Sequence, residues 1–287
     1  MSVKAQNSYM VSVPPRSAAG EIHVAIAALE EPQEAVRLMA GSLTFATPRE
    51  ICGLRALVDH AAMSAEVVEF DCPANAEVHR YLERVDFYED LPDNVELSLS
   101  RPNLRRRNQE SHLVELIRIR STDDVEELMT RVSRVAKAEV GHGNVARAFA
   151  TAIGAATENV VEHAASPIGA LVAAQRYQTR GLELAVVDLG DGIPTTLARN
   201  PSHRGLVDLK AVERSLEDGV SSVEEEGRGT GLWELVEAVG RGDNSTLGIA
   251  SGRADLTLSW DAGRPGRYAT TPAHVIRGTW IWVRLEG

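Results

Sequence analysis

Residues 182–194 read LELAVVDLGDGIP. Apart from Glu183, residues 182–187 are apolar and end in two valines, the composition of a strand packed in a core. Asp188 ends that run. A carboxylate there can accept a hydrogen bond from an exocyclic amine such as that of adenine, while Gly190 and Gly192 let backbone come close to a flat ring. A plain Gly-Asp-Gly turn has the same composition, so the stretch acquires meaning only from what surrounds it.

Before it, residues 144–165 (NVARAFATAIGAATENVVEHAA) predict a long helix, because Val145, Phe149, Ala152, Ile153, Ala156 and Val160 follow the helical period. Asn159 and His163 lie four apart on one face of it, a spacing that suits ligands and hydrogen-bonded structural residues alike. GALVAAQRY and LELAVVDLG predict a hairpin across QTRG. Further upstream, HLVELIRIR predicts a strand and residues 122–140 a helix capped by Thr122 or Asp123. After Gly192 comes a long polar segment, residues 193–226. GRGTGL (Gly227 to Leu232) then leads into the helix LWELVEAVG, so free backbone amides and the helix dipole can face an anion such as phosphate. Glu224 to Glu226, rather than a strand, precede these glycines, which excludes a dinucleotide fingerprint, and the chain contains no Gly-Lys-Ser/Thr phosphate loop. Strands are expected around STLGIAS, ADLTLSW and TWIWVRL.

The amino-terminal half alternates strand and helix patterns. EIHVAIAAL reads as a strand, PQEAVRLMAG as a helix opened by Pro32, and SLTFA as a buried strand. PREICGLRALVDHA, with Ile51, Leu54 and Val58 on one face, reads as a helix, followed by a strand (AEVVEFDC) and a second helix (NAEVHRYLERV). The expected organisation is an α/β protein of two domains: a flexible lead-in over 1–20, a domain over 21–101, a linker over 102–112 and a second domain over 113–287. Arg105 to Arg107 belong to the solvated linker.

The bulk composition narrows the partners. With 287 residues, 44% of them hydrophobic, the chain can fill two cores. Its 30 basic and 41 acidic side chains, a net charge of -11, disfavour nucleic acid and anionic membranes. Cys52 and Cys72 each sit in an apolar stretch, as buried free thiols of a reducing compartment do, and no zinc spacing occurs. No apolar run approaches the ~20 residues of a membrane span, and residues 1–15 lack a signal-type core, so a soluble cytoplasmic protein is expected.

Taken in order, an Asn on a helix, DxGxGI, a long variable segment, and GxGxGL before another helix resemble the N, G1 and G2 boxes of the GHKL ATPases, the group of gyrase, Hsp90, histidine kinases and MutL. Gly278-Thr279 is similar to that family's Gly-Thr. The resemblance covers residues 113–287 and implies a Bergerat-type two-layer α/β sandwich that binds ATP and Mg2+. It implies that Asn159 holds magnesium and that Asp188 binds adenine beside the Thr279 hydroxyl. His163, Gly190, Gly192, Gly227, Gly229, Thr230 and Gly231 complete the nucleotide site. Residues 193–226 become a lid, from which Lys210, Arg214, Ser221 and Ser222, with the flanking Arg228, can meet phosphate or remain solvated. Hydrolysing members carry a glutamate one turn before the asparagine; here that place is Ala155. Glu158 and Glu162, on the same helix, are the remaining candidates for a general base.

Residues 21–100 resemble the STAS-like domain of anti-sigma-factor antagonists, through FATPREICGLRAL and YLERVDFYEDL, with Pro48 or Arg49 at the family's phosphorylatable serine. The combined expectation is an Mg-ATP-binding regulatory protein whose nucleotide-ordered lid controls a partner, itself a regulator of the sigma or anti-sigma type, or its own amino-terminal domain. The alternative is a slow ATPase or a serine/threonine protein kinase of the anti-sigma-factor type. A homodimer is left open. No His-Glu/Asp phosphoacceptor helix with a following Thr/Asn-Pro occurs, which disfavours a sensor histidine kinase.

Overall fold

A computed structural model describes residues 8–13, 19–29, 31–104, 110–221 and 231–286. The chain divides into two compact units, Met1–Asn108 and Gln109–Gly287.

The first unit runs β1 (Ser8–Ser12), α1 (Ala19–Ala27), β2 (Gln33–Met39), α2 (Pro48–Ser64), β3 (Ala65–Asp71), α3 (Ala76–Arg84) and β4 (Val95–Leu97). Its four strands pair in parallel, in sequence order. Val11, Val36, Leu38, Val68 and Phe70 alternate along the strands as buried residues, while Met10 and Val67, offset by one, stay exposed. A capping box between Thr47 and Glu50, with Pro48 at the first position, starts α2. Buried Arg55 then ties that helix to the chain after α3: its guanidinium meets Asp59 Oδ1 at 3.1 Å and donates to the carbonyls of Phe87 and Glu89 at 3.0 and 2.7 Å.

Several sequence expectations fail in this unit. EIHVAIAAL is helical: Ile22, Ile26 and Leu29 are buried at helical spacing, and Val24, which completes an apparent alternation, is 51% exposed. PQEAVRLMAG is the strand β2, placed between β1 and β3, so Ala35, Val36 and Leu38 are all buried. Around SLTFA only a single bridge forms at Phe45, although Leu43 and Ala46 are buried. The expected flexible lead-in contains β1, which pairs with β2 from Ser8↔Ala35 to Ser12↔Met39.

The second unit runs β5 (Leu113–Ile119), α4 (Thr122–Val140), α5 (Gly143–His163), β6 (Ala170–Tyr177), β7 (Gly181–Val187), α6 (Gly192–Leu197), a 3-10 turn (Pro201–His203), α7 (Asp208–Arg214), α8 (Gly231–Gly240), β8 (Asn244–Gly252), β9 (Ala254–Asp261), β10 (Arg264–Thr270) and β11 (Ile276–Glu286). Its seven-stranded sheet has the order β10-β9-β8-β11-β7-β6-β5, with every neighbour antiparallel. Val172, Leu184, Val186, Ile249, Ile281 and Val283 form a core with Val125, Leu128 and Val132 of α4, Phe149 and Ile153 of α5, and Leu235 and Val239 of α8. The protein is therefore α/β, with one parallel and one antiparallel sheet.

Residues 193–226, expected as one polar lid, are in their described part largely folded. They include α6, the 3-10 turn and α7, with Ile193, Leu197, Ala211 and Val212 buried. Among the described residues, Cys52 and Cys72 are buried and form no disulfide, and no helix is long and apolar enough to cross a membrane.

Candidate functional site

The end of β7, the bulge of β11 and the carboxy-terminal half of α5 converge on a cavity of about 340 Å³. Asp188 follows β7 directly and is fully buried. Its amide donates to Thr279 O at 3.0 Å, which fixes it against β11. Its carboxylate in turn accepts from Gly190 N at 2.6 Å on Oδ1 and from Thr279 N at 3.1 Å on Oδ2, and also from the Thr279 hydroxyl. A carboxylate has about four acceptor positions, so these three donors leave one for a ligand. Burial pushes the acid up to about 7; the Gly190 and Thr279 amides and the Thr279 hydroxyl oppose that rise, and Asp191 adds to it.

Two glycines make this geometry accessible. A Cβ on Gly190 would lie 2.0 Å from Ala164 O, just past the end of α5, and Gly278 (φ 70) sits so close that its Cβ would lie 2.1 Å from Asp188 O. The pairing of β11 with β8 shifts register between Ile276 and Thr279, and this bulge aims Thr279 at Asp188. Ser251 completes the support, accepting from Ile193 N at 2.9 Å and donating to Gly278 O at 2.7 Å.

Helix α5 supplies the cavity with Ala155, Ala156, Glu158, Asn159, Val160, Glu162 and His163, and Val186, Ile193 and Ile281 add apolar wall. Gly231, the first residue of α8, and Leu232 also line it. Ala155 touches the start of α8 and Ala164 touches Gly190. At 1.5 Å per residue, these two points lie about 13 Å apart along α5, the reach of a nucleotide rather than of a bare base. The side chain of His163 lies 3.4 Å from the Glu162 carboxylate. No lysine or arginine is among the described lining residues, whereas Glu158, Glu162 and Asp188 are. An anionic ligand there meets these carboxylates on one side and the partial positive charge at the start of α8 on the other.

Of the residues singled out in the sequence, Asn159, His163, Glu158, Glu162, Asp188, Gly192, Gly231 and Thr279 line the cavity and Gly190 braces it. Gly227, Arg228, Gly229, Thr230 and Ser222 lie outside the described residues. Ser221 lines the cavity, as do Ser215 and Val220. Lys210 and Arg214 instead pair with Glu213 and Glu217 on their own side of the fold. Ser251 escaped the sequence reading, because a serine in STLGIAS gains meaning only from the register that sets it beside Gly278. Comparison of the chain with protein-family models and with curated proteins finds no match.

Proposed function

We propose that the second unit binds ATP with magnesium and acts as a nucleotide-responsive regulatory module. The observation that carries this reading is the fully buried Asp188 carboxylate, held by Gly190 and Thr279 with an acceptor position to spare on a cavity that also has apolar wall. An ionised carboxylate accepts from the exocyclic amine of adenine and repels the carbonyl that guanine presents there. The wall formed by Val186, Ile193 and Ile281 suits a flat ring. The amide oxygen of Asn159 suits magnesium, which takes few protein ligands and completes its shell with phosphate and water. Magnesium would also offset the negative charge that phosphates bring beside Glu158 and Glu162. The backbone amides in the first turn of α8 suit phosphate. A seven-stranded antiparallel sheet with α4, α5 and α8 sharing one core supports a Bergerat-type sandwich for this unit. For the first unit, we carry the STAS-like reading forward as a proposed interaction domain, for a regulatory protein of the sigma or anti-sigma type.

With Ala155 one turn before Asn159, a methyl group stands where a general base would act, so the signal is occupancy of the site rather than turnover. Because Glu158 and Glu162 both line the cavity, slow hydrolysis or phosphoryl transfer to a protein serine or threonine is the second reading. Calorimetric titration with Mg-ATP, run beside a phosphate-release assay, separates the two. Binding without release supports the module, and release that disappears with Glu158→Ala or Glu162→Ala supports the enzyme. Asp188→Asn should weaken ATP by about 1.5 to 3 kcal/mol, roughly ten- to hundredfold, and unchanged affinity in a folded variant refutes the adenine assignment.

A further inference from the structure

Helix α5 meets its two helical neighbours through consecutive small residues. A Cβ on Gly154 would fall 2.5 Å from Met129 Sδ of α4, so α4 packs directly on the bare backbone there. One residue later, a Cβ on Gly231 would fall 3.0 Å from Ala155 Cβ, 3.3 Å from Ala155 C and 3.5 Å from Ala155 O. The first residue of α8 therefore rests on the methyl and backbone of Ala155, and another carbon there requires the contact to open by a few tenths of an ångström. Further along α8, Leu235 and Val239 are fully buried in the core, so the helix is anchored downstream, and the Ala155–Gly231 contact sets where its first turn stands. Both residues of the contact line the cavity.

We propose that Ala155 is a positioning residue: it seats the first turn of α8 so that its backbone amides face the phosphate end of the ligand. This rests on the nucleotide reading above. The residue at this place then contributes nothing to proton transfer. Its smallness is the contribution, because any larger group on either side pushes the amides off the phosphates while leaving the Asp188 end, some nine residues away along α5, undisturbed.

The test measures Mg-ATP and adenosine affinities in parallel by calorimetry on the whole chain, with folding checked by circular dichroism. Gly231→Ala should weaken Mg-ATP by roughly five- to thirtyfold, the size of a displaced helix-terminus contribution, with adenosine affinity within about twofold of the unaltered protein. Adding Ala155→Gly to that variant removes the opposing methyl and should restore most of the lost ATP affinity. If Gly231→Ala does not fold, Ala155→Gly alone decides: an unseated first turn lowers ATP affinity and spares adenosine. An unchanged ATP affinity in the variants overturns the proposal, as does a parallel loss of ATP and adenosine, which marks a general structural defect. An unaltered protein that binds neither ligand overturns the nucleotide reading, and the seating role with it.

Discussion

Asp188 joins burial to chemistry in one side chain, and its protonation carries two consequences of opposite use. On the proposed reading adenine needs the carboxylate as an acceptor, and the buried acid is pushed up to about 7. Lowering the pH through that value converts an acceptor into a hydroxyl donor, so affinity should fall, by up to about tenfold per pH unit. Adenosine is the appropriate probe, since it carries no phosphate that titrates. A flat profile between pH 8 and 5.5 removes Asp188 from the contact. Stability runs the other way. The native acid holds its proton above the ordinary carboxylate value of 3.8, so this contribution is complete below that value and is lost as pH rises through about 7. Thermal unfolding of Asp188→Asn should lack that loss. At this scale the sequence was highly legible: Asp188, Asn159 and Thr279 were singled out by motif, and the cavity gathers all three. Ser251 was not, because its role depends on a register shift that no local pattern encodes.

Among the elements, the bulge of β11 and the loop after β7 are mutually locked. Gly190→Ala drives a carbon into Ala164 O, and Gly278→Ala meets both a positive φ and Asp188 O. Each should cost about 2 to 3 kcal/mol of stability, read as a lowered midpoint in urea at constant slope. A midpoint shift below about 0.5 kcal/mol would mean that the loop yields. Between α7 and α8, Ser215, Val220 and Ser221 line the cavity, so hydrogen exchange in residues 215–221 should slow when Mg-ATP binds. Equal exchange with and without nucleotide counts against a ligand-ordered segment there. Element type was less legible in the first unit, for a physical reason. In EIHVAIAAL, Ile22, Val24 and Ile26 satisfy a period of two while Ile22, Ile26 and Leu29 satisfy the helical one, and nine residues cannot separate them. Its run of alanines favours the helix that forms. PQEAVRLMAG misleads in the opposite sense, because the burial of Ala35 next to Val36 breaks an alternation that Leu38 and Met39 otherwise keep. Long helices such as α4 and α5 carry enough periods to escape this ambiguity.

For the whole molecule, the change of character near residue 108 was visible as a polar, arginine-rich stretch, and the chain divides there into two compact units. A carboxyl-terminal unit made of an antiparallel sheet with helices sharing its core can carry a nucleotide site entirely from its own residues, and every described lining residue of the cavity belongs to it. The net charge of -11 adds a demand that the cavity repeats locally: polyphosphate binding should depend steeply on the divalent cation. The most direct measurement of the central claim is calorimetric titration of the whole chain with Mg-ATP beside Mg-GTP. One ATP site per chain is expected, with GTP at least about a hundredfold weaker, because guanine turns a carbonyl towards the Asp188 carboxylate. Equal affinity for the two nucleotides, or no heat from either, would contradict the account.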